Sequence, residues 1–405
     1  MRGDFWKFFV GETVSNFGTA ITQFALPLLV FKLSGSALAL GTAASMLTVP
    51  HLLFGLVIGA WTDRLDRKRL MIGVDVLSAL AIASVPIAAA VGALSVPWII
   101  AVTFVMSTLG IFFEAAQFAA IPSLVGRAEL VTANGRIQAS FALAQIAGPF
   151  IAGALLVIVA VDQLLYADAA SFLVSALALV LIRRSFNTGA RHERRSIRED
   201  IVEGLRYVLR HPVLRNISLM MALINVFSTA TWVQIVLFAK RELGATDSEV
   251  GLFYAAGGAG VFLCGLLAGP LRARMSFGNV ALGALMLSGL LTLVLAYTTS
   301  LWLGITLWGL VSGLGILFNI NTGSLRQSIV PNHLLGRIIS IAMVLAWSAN
   351  PIGAIGGGFV IERIGDARVV YAAVGVIVFL IALGFRLLSP LGRAERYLEE
   401  VRAAS

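Results

Sequence analysis

Long apolar stretches alternate with short polar breaks along the whole chain. Measured against charged and Pro/Gly breaks, these stretches begin near Trp6, Ala37, Leu70, Val96, Gly135, Gln163, Leu214, Ser248, Ser276, Ser300, Gly336 and Ala367. Each runs for about 20 residues, enough for a helix to cross a hydrocarbon core of ~30 Å. The pattern predicts an all-α membrane protein with twelve transmembrane helices. The first stretch continues from Trp6 past Val30 with Glu12, Asn16 and Gln23 inside it. A signal peptide has a shorter apolar core followed by a small-residue cleavage site, so this segment is expected to be retained.

The most polar stretch, Arg183 to Arg215, lies mid-chain and divides six spans from six. The expected organisation is a six-helix bundle over residues 1–183, a cytoplasmic linker over 184–213, a second six-helix bundle over 214–389 and a cytoplasmic tail over 390–405. Within the linker, Ile197, Ile201, Leu205 and Val208 recur at helical spacing among Arg198, Glu199, Asp200, Glu203 and Arg206. That spacing suits an amphipathic helix lying on the membrane surface as a tether. A weak repeat relates the halves: Ile121-Pro122, Asn134-Gly135-Arg136 and Gly148-Pro149 recur as Val330-Pro331, Leu335-Gly336-Arg337 and Asn350-Pro351. Transporters built from such repeats place substrate near the membrane midplane between them.

Composition sharpens this picture. The chain is 59% hydrophobic and 13% charged, with a mean hydropathy of +0.92, where a soluble domain carries about 25% charged residues. Its single cysteine, Cys264, excludes an intrachain disulfide. The formal charge of +9 is spread over many short loops rather than one face, which argues against a nucleic-acid partner and for topology. With the N-terminus placed in the cytoplasm, 25 of the 30 lysines and arginines fall on the inner side, leaving Lys32, Lys240, Arg241, Arg363 and Arg368 outside. The positive-inside rule then puts both termini in the cytoplasm of a multi-pass cell-membrane protein.

Ionisable groups within a membrane are costly, roughly 2.5 to 3.5 kcal/mol for a central Asp, and so mark candidate functional sites. Glu12 in the first span and Glu114 in the fourth are the proton-coupling candidates, with Glu114 preferred. Asp75 is expected to pair with Arg64 or Arg67, and Asp168 to cap or bind a neighbouring helix; both are read as structural. The spans of the second half contain no acid, and their amides Asn225, Gln234, Asn319 and Asn321, with Gln23 and Gln117 from the first half, are candidates to line a substrate cavity. Such amides serve equally well in hydrogen bonding between helices. Phe24, Phe112, Phe113, Trp232, Phe318 and Trp347 offer apolar surface for an amphipathic ligand, or for packing and lipid. The four histidines are dispersed, no His-Glu-x-x-His occurs, and no Walker A pattern is present. A membrane-embedded enzyme is therefore disfavoured, no metal or organic cofactor is expected, and an ion gradient is the expected energy source.

The loop after the second span reads Gly59-Ala60-Trp61-Thr62-Asp63-Arg64-Leu65-Asp66-Arg67-Lys68-Arg69. It resembles the major facilitator signature Gly-x-x-x-Asp-Arg-x-Gly-Arg-Lys/Arg, with Asp66 in place of the usual Gly. The resemblance implies an inner-gate motif at Gly59, Asp63, Arg64, Arg67 and Lys68. The corresponding loop of the second half, Gly269 to Arg274, lacks a matching acid, which implies a one-sided latch. Gly148-Pro149 with Gly153 resembles the Gly-Pro-x-x-Gly-Gly element of antiporters, a hinge that helix packing alone would also produce.

Together with Asp168-Ala169-Ala170-Ser171-Phe172, Glu203-Gly204 and Pro122 ahead of Asn134, the whole chain resembles the drug-exporter branch that includes macrolide efflux and enterobactin exporters. The resemblance implies two pseudo-symmetric six-helix bundles, the major facilitator fold, and a monomer that exports a small amphipathic molecule by alternating access, in contact with membrane lipid. Proton antiport is the expected coupling, although Thr19 stands where relatives carry an acid and the basic motif of the fourth span is absent. An importer, a lipid transporter or a non-transporting receptor of the same fold would share most of these features.

Overall fold

A computed structural model describes residues 3–62, 65–125, 129–186, 205–330 and 344–393, with Ile338 and Ile341. The chain is helical almost throughout these segments. Its first half comprises α1 (Gly3–Ser34), α2 (Ala37–Ser45), α3 (Val49–Thr62), α4 (Arg67–Ala90), α5 (Val96–Leu124), α6 (Leu130–Leu155) and α7 (Leu164–Leu181). After a short helix at 205–210 come α8 (Pro212–Val233), α9 (Ile235–Glu242), α10 (Asp247–Arg274), α11 (Gly283–Tyr297), α12 (Leu301–Ile329), α13 (Asn350–Ile364) and α14 (Ala367–Leu388). A π-helical turn, Gly278–Leu282, leads into α11.

Among the described residues, 12 helical stretches are long and apolar enough to span a membrane, and they match the twelve segments read from hydropathy. The second span is made of α2 and the start of α3, joined by a turn at Met46–Thr48. Local chemistry sets the ends. Ser36 caps α2, Asp66 caps α4 by accepting from the Arg69 amide at 2.9 Å, and Ser300 caps α12. At the close of α13, Gly365 takes φ +81°, a left-handed conformation that costs a residue with a Cβ.

The helices gather into two compact units, Met1–Arg191 with Thr246–Ala255, and His192–Ala245 with Ala256–Ser405. The opening turns of α10 thus group with the first unit. In that unit α1 packs on α7 and α6, and α4 on α7 and α5. Phe5, Phe8, Met71, Leu124, Leu179 and Phe186 anchor its core. In the second unit α11 packs on α14 and α12, and α8 on α13, around Phe277, Leu282, Leu285, Phe318 and Leu325.

Lipid tails are as apolar as leucine, so helices in a membrane associate through close packing of small residues. The α1–α7 contact shows this. A Cβ built on Gly11 would lie 2.7 Å from the Ala178 Cβ, and one on Gly18 would lie 2.6 Å from an Asp168 carboxylate oxygen. Outward positions carry large apolar side chains, such as Leu80, Phe118 and Leu388. The expected surface helix of the linker and the second copy of the internal repeat fall largely outside the described residues.

Candidate transport site

The buried stripe of α4 reads Met71, Asp75, Ser78 and Ile82, one residue per helical turn. Asp75 is therefore carried inward, only 1% exposed, and faces the Ser175 hydroxyl on α7. The expected pairing with Arg67 does not occur. Arg67 stands two helical turns away at the start of α4 and donates to the Phe186 carbonyl at 3.3 Å. Arg64 lies outside the described residues.

On α1, the close approach at Gly11 brings Glu12 into the same interior. Glu12 is 8% exposed, faces the Gln117 amide of α5, and interacts electrostatically with both Glu114 and Asp75. One oxygen of Glu12 and one of Asp75 are buried and meet no partner among the described residues. Glu114 is exposed and interacts with His51 on α3, whose ring lies 3.5 Å from the Ser107 hydroxyl. Glu12 on α1 thus lies within electrostatic reach of Asp75 on α4 and of Glu114 on α5. Sequence analysis singled out Glu12 and Glu114 but set Asp75 apart and left His51 among dispersed histidines; the one-per-turn polar stripe of α4 was the signal for Asp75.

Asp168 forms a second buried polar point higher on the α1–α7 contact. It is fully buried and accepts from Thr22 at 2.5 Å and from Ser171 at 3.1 Å. Both of its oxygens are satisfied by hydroxyls, so its geometry is that of a bond between helices.

The remaining candidates are spread through both units. Gln23 is exposed and accepts from Gln145 at 3.2 Å. Asn225 donates to the Ala346 carbonyl at 2.9 Å, and Asn321 is buried and donates to Leu317 on its own helix at 2.7 Å. Asn319 is exposed, and Gln234 is buried at the junction of α8 and α9. A Cβ on Gly148 would come 2.5 Å from the Ala20 Cβ, and one on Gly153 would be 3.2 Å from the Gly251 Cα. The segment around Pro149 is therefore packed against α1 and the opening of α10. In the expected gate motif, Gly59 lies in α3 and Asp63 lies outside the described residues. Lys68 donates to the Ile182 and Val180 carbonyls at 2.5 and 3.3 Å, and Lys7 to Leu181 at 3.0 Å, so basic side chains satisfy the last carbonyls of α7.

The second unit holds one group that sequence analysis placed in an inner loop. Arg326 is in the last turn of α12 and only 8% exposed. One guanidinium nitrogen donates to the Met221 sulfur at 3.1 Å, and Nε has no partner among the described residues.

The chain as a whole is similar to known proteins. A family model described as a transmembrane secretion effector matches residues 2–399. The multidrug efflux pump Tap of Mycolicibacterium fortuitum is 31% identical over 375 residues, covering 88% of this chain and 89% of that one. Macrolide efflux protein A of Streptococcus pyogenes is 25% identical over 383 residues, covering 89% and 90%. In fold, the chain is similar to the nucleoside transporter NupG, with a TM-score of 0.79, 15% identity and coverage of 95% and 99%. It is also similar to a bacterial homologue of the human lysosomal transporter Spinster, with a TM-score of 0.74, 14% identity and coverage of 98% and 97%. With a family model spanning nearly its whole length and twelve membrane-crossing helices, the chain belongs to the transmembrane secretion effector family, integral membrane transporters of the major facilitator fold.

Proposed function

We propose that this protein is a secondary active exporter of a small amphipathic molecule, driven by proton antiport. The observation that carries the coupling is the cluster of Glu12, Asp75 and Glu114, contributed by three helices of one unit. Charged carboxyls in a low-dielectric interior repel one another and forfeit hydration; a bound proton relieves both penalties. Exposed Glu114 offers an entry point beside His51, and buried Glu12 and Asp75 supply oxygens free to take a proton. Alternating access requires a ligand whose affinity differs between two states of the carrier, and a carboxyl whose surroundings change meets that requirement. Export is favoured by the efflux relatives, and a gradient rather than ATP by the absence of a Walker A sequence. The protein is read as a monomer in the cell membrane with both termini in the cytoplasm.

The test measures efflux of fluorescent amphipathic compounds from cells expressing the wild type, Glu12→Gln, Asp75→Asn or Glu114→Gln at matched membrane levels, each with and without a protonophore. Wild-type export should collapse with the protonophore, and at least one substitution should remove the gradient-dependent part while compound still binds the purified protein. Gradient-dependent export surviving in all three variants would remove the cluster from coupling, and export indifferent to the protonophore would remove proton antiport itself.

A further inference from the structure

Where the start of α4 meets the end of α7, the first unit carries a cleft of about 350 Å³. Its rim bears Lys68, Arg69, Arg183 and Arg184, and its walls include Ile72 and Val180. One acid, Asp66, also lines it, with one carboxylate oxygen engaged as the N-cap of α4. The four cations divide into two pairs. Lys68 is bound to the α7 carbonyls, and Arg184 donates to the Ser123 carbonyl at 2.8 Å. Arg69 and Arg183 are exposed, and their guanidinium groups have no hydrogen-bond or ion-pair partner among the described residues.

The apolar walls continue beyond the cleft. From Ile72 the same face of α4 presents Val76 and Leu80 at intervals of four residues. From Val180 the same face of α7 runs back through Leu177 and Leu173. Leu80 is 65% and Leu177 59% exposed, so both rows face outward from the unit, as lipid-facing positions do. A cationic cup thus sits at the end of two exposed apolar ridges. Basic pockets between transmembrane helices at the membrane surface suit anionic headgroups, and arginine pairs with phosphate through two parallel bonds.

We propose that this cleft is a phospholipid site, with Arg69 and Arg183 holding the phosphate of an anionic headgroup and the acyl chains lying along the α4 and α7 ridges. The proposal needs only that α4 and α7 span the membrane, and it stands or falls independently of the export reading. An inorganic phosphate ion would satisfy the same guanidinium groups but would make no use of the ridges.

The full-length protein, purified in a neutral detergent, is titrated with phosphatidylglycerol or phosphatidylcholine, and bound lipid is counted by native mass spectrometry. Each titration is repeated with excess inorganic phosphate. The wild type should retain phosphatidylglycerol in preference to phosphatidylcholine, and phosphate should not displace it. Arg69→Gln/Arg183→Gln should bind phosphatidylglycerol roughly thirtyfold more weakly, given the attraction each basic residue exerts on anionic lipid. Arg272→Gln/Arg274→Gln, which removes the same charge from the second unit, should bind as the wild type does. Equal retention of the two lipids, or equal loss in both double variants, would overturn the site. Displacement by phosphate would reassign it to a free anion. Thermal midpoints without lipid check folding, and Arg69→Gln alone replaces the double variant if that proves unstable.

Discussion

Arg326 is a buried cation in the second unit. A guanidinium removed from water loses several kcal/mol of hydration unless other groups replace it, and here the neighbours are a methionine sulfur and apolar helix surface. Replacing buried charges with apolar groups of similar volume is often neutral, or stabilising by roughly 1 to 4 kcal/mol. Arg326→Met should accordingly leave the thermal midpoint of the detergent-purified protein unchanged or raised. If transport uses the charge, the same variant should lose efflux while gaining stability; a lowered midpoint would show that Arg326 holds the fold together. Asp75 teaches a related lesson. By proximity along the chain its partner should be the basic loop, but eight residues of helix separate it from Arg67, and the inward stripe of α4 carries it to Ser175 and Glu12 instead. Helical phase was legible in the sequence. Which neighbouring helix would face that phase was not, because packing partners are set by contacts distant along the chain.

At the scale of elements, the spans were the most legible feature, since twenty consecutive apolar residues have few alternatives in a membrane protein. Junctions were less so. The second span is broken between α2 and α3, where Pro50 in the first turn of α3 marks the restart, whereas the break at Gln234 between α8 and α9 has no proline or run of charge to announce it. One junction carries a pH-sensitive contact. His211 caps α8, its Nδ1 accepting from the Leu214 amide at 3.4 Å, and burial lowers the imidazole below its ordinary value. The unfolded chain then takes up the proton at a higher pH than the folded one, so the contribution to stability is full above pH ~6.5 and declines as pH falls through that value. Protonation also removes the acceptor and sets a cation at a helix N-terminus. The thermal midpoint should fall between pH 8 and pH 5. His211→Asn, which retains a capping side chain without titrating, should flatten that part of the dependence, and His211→Ala should lower the midpoint at pH 8. An unchanged slope in the Asn variant would assign the pH dependence to other groups.

At the scale of the molecule, orientation decides which face of the membrane carries the basic loops and the cleft they line. Cytoplasmic termini follow from the 25 of 30 basic residues assigned to one side, and the structure adds detail to three of the other five. Lys32 is ion-paired with Asp247, and Arg368 meets Glu242 at 2.9 Å, while Arg363 lies over the Phe359 ring. On the basic side contacts are mixed: Lys68 falls on carbonyls and Arg69 and Arg183 on open surface, while Lys7 pairs with Asp4 at 2.9 Å. Basic residues near span ends hold their loops in the cytoplasm, and acids contribute little to that bias, so pairing on the sparse side does not weaken it. The prediction can be checked chemically because Cys264 is the sole cysteine. In a Cys264→Ser background, Ala93→Cys in the α4–α5 loop should react with a membrane-impermeant maleimide added to intact cells. Leu65→Cys, in the exposed approach to α4, should react only after the cells are permeabilised. The reverse pattern would invert the topology and place the basic cleft on the outer surface.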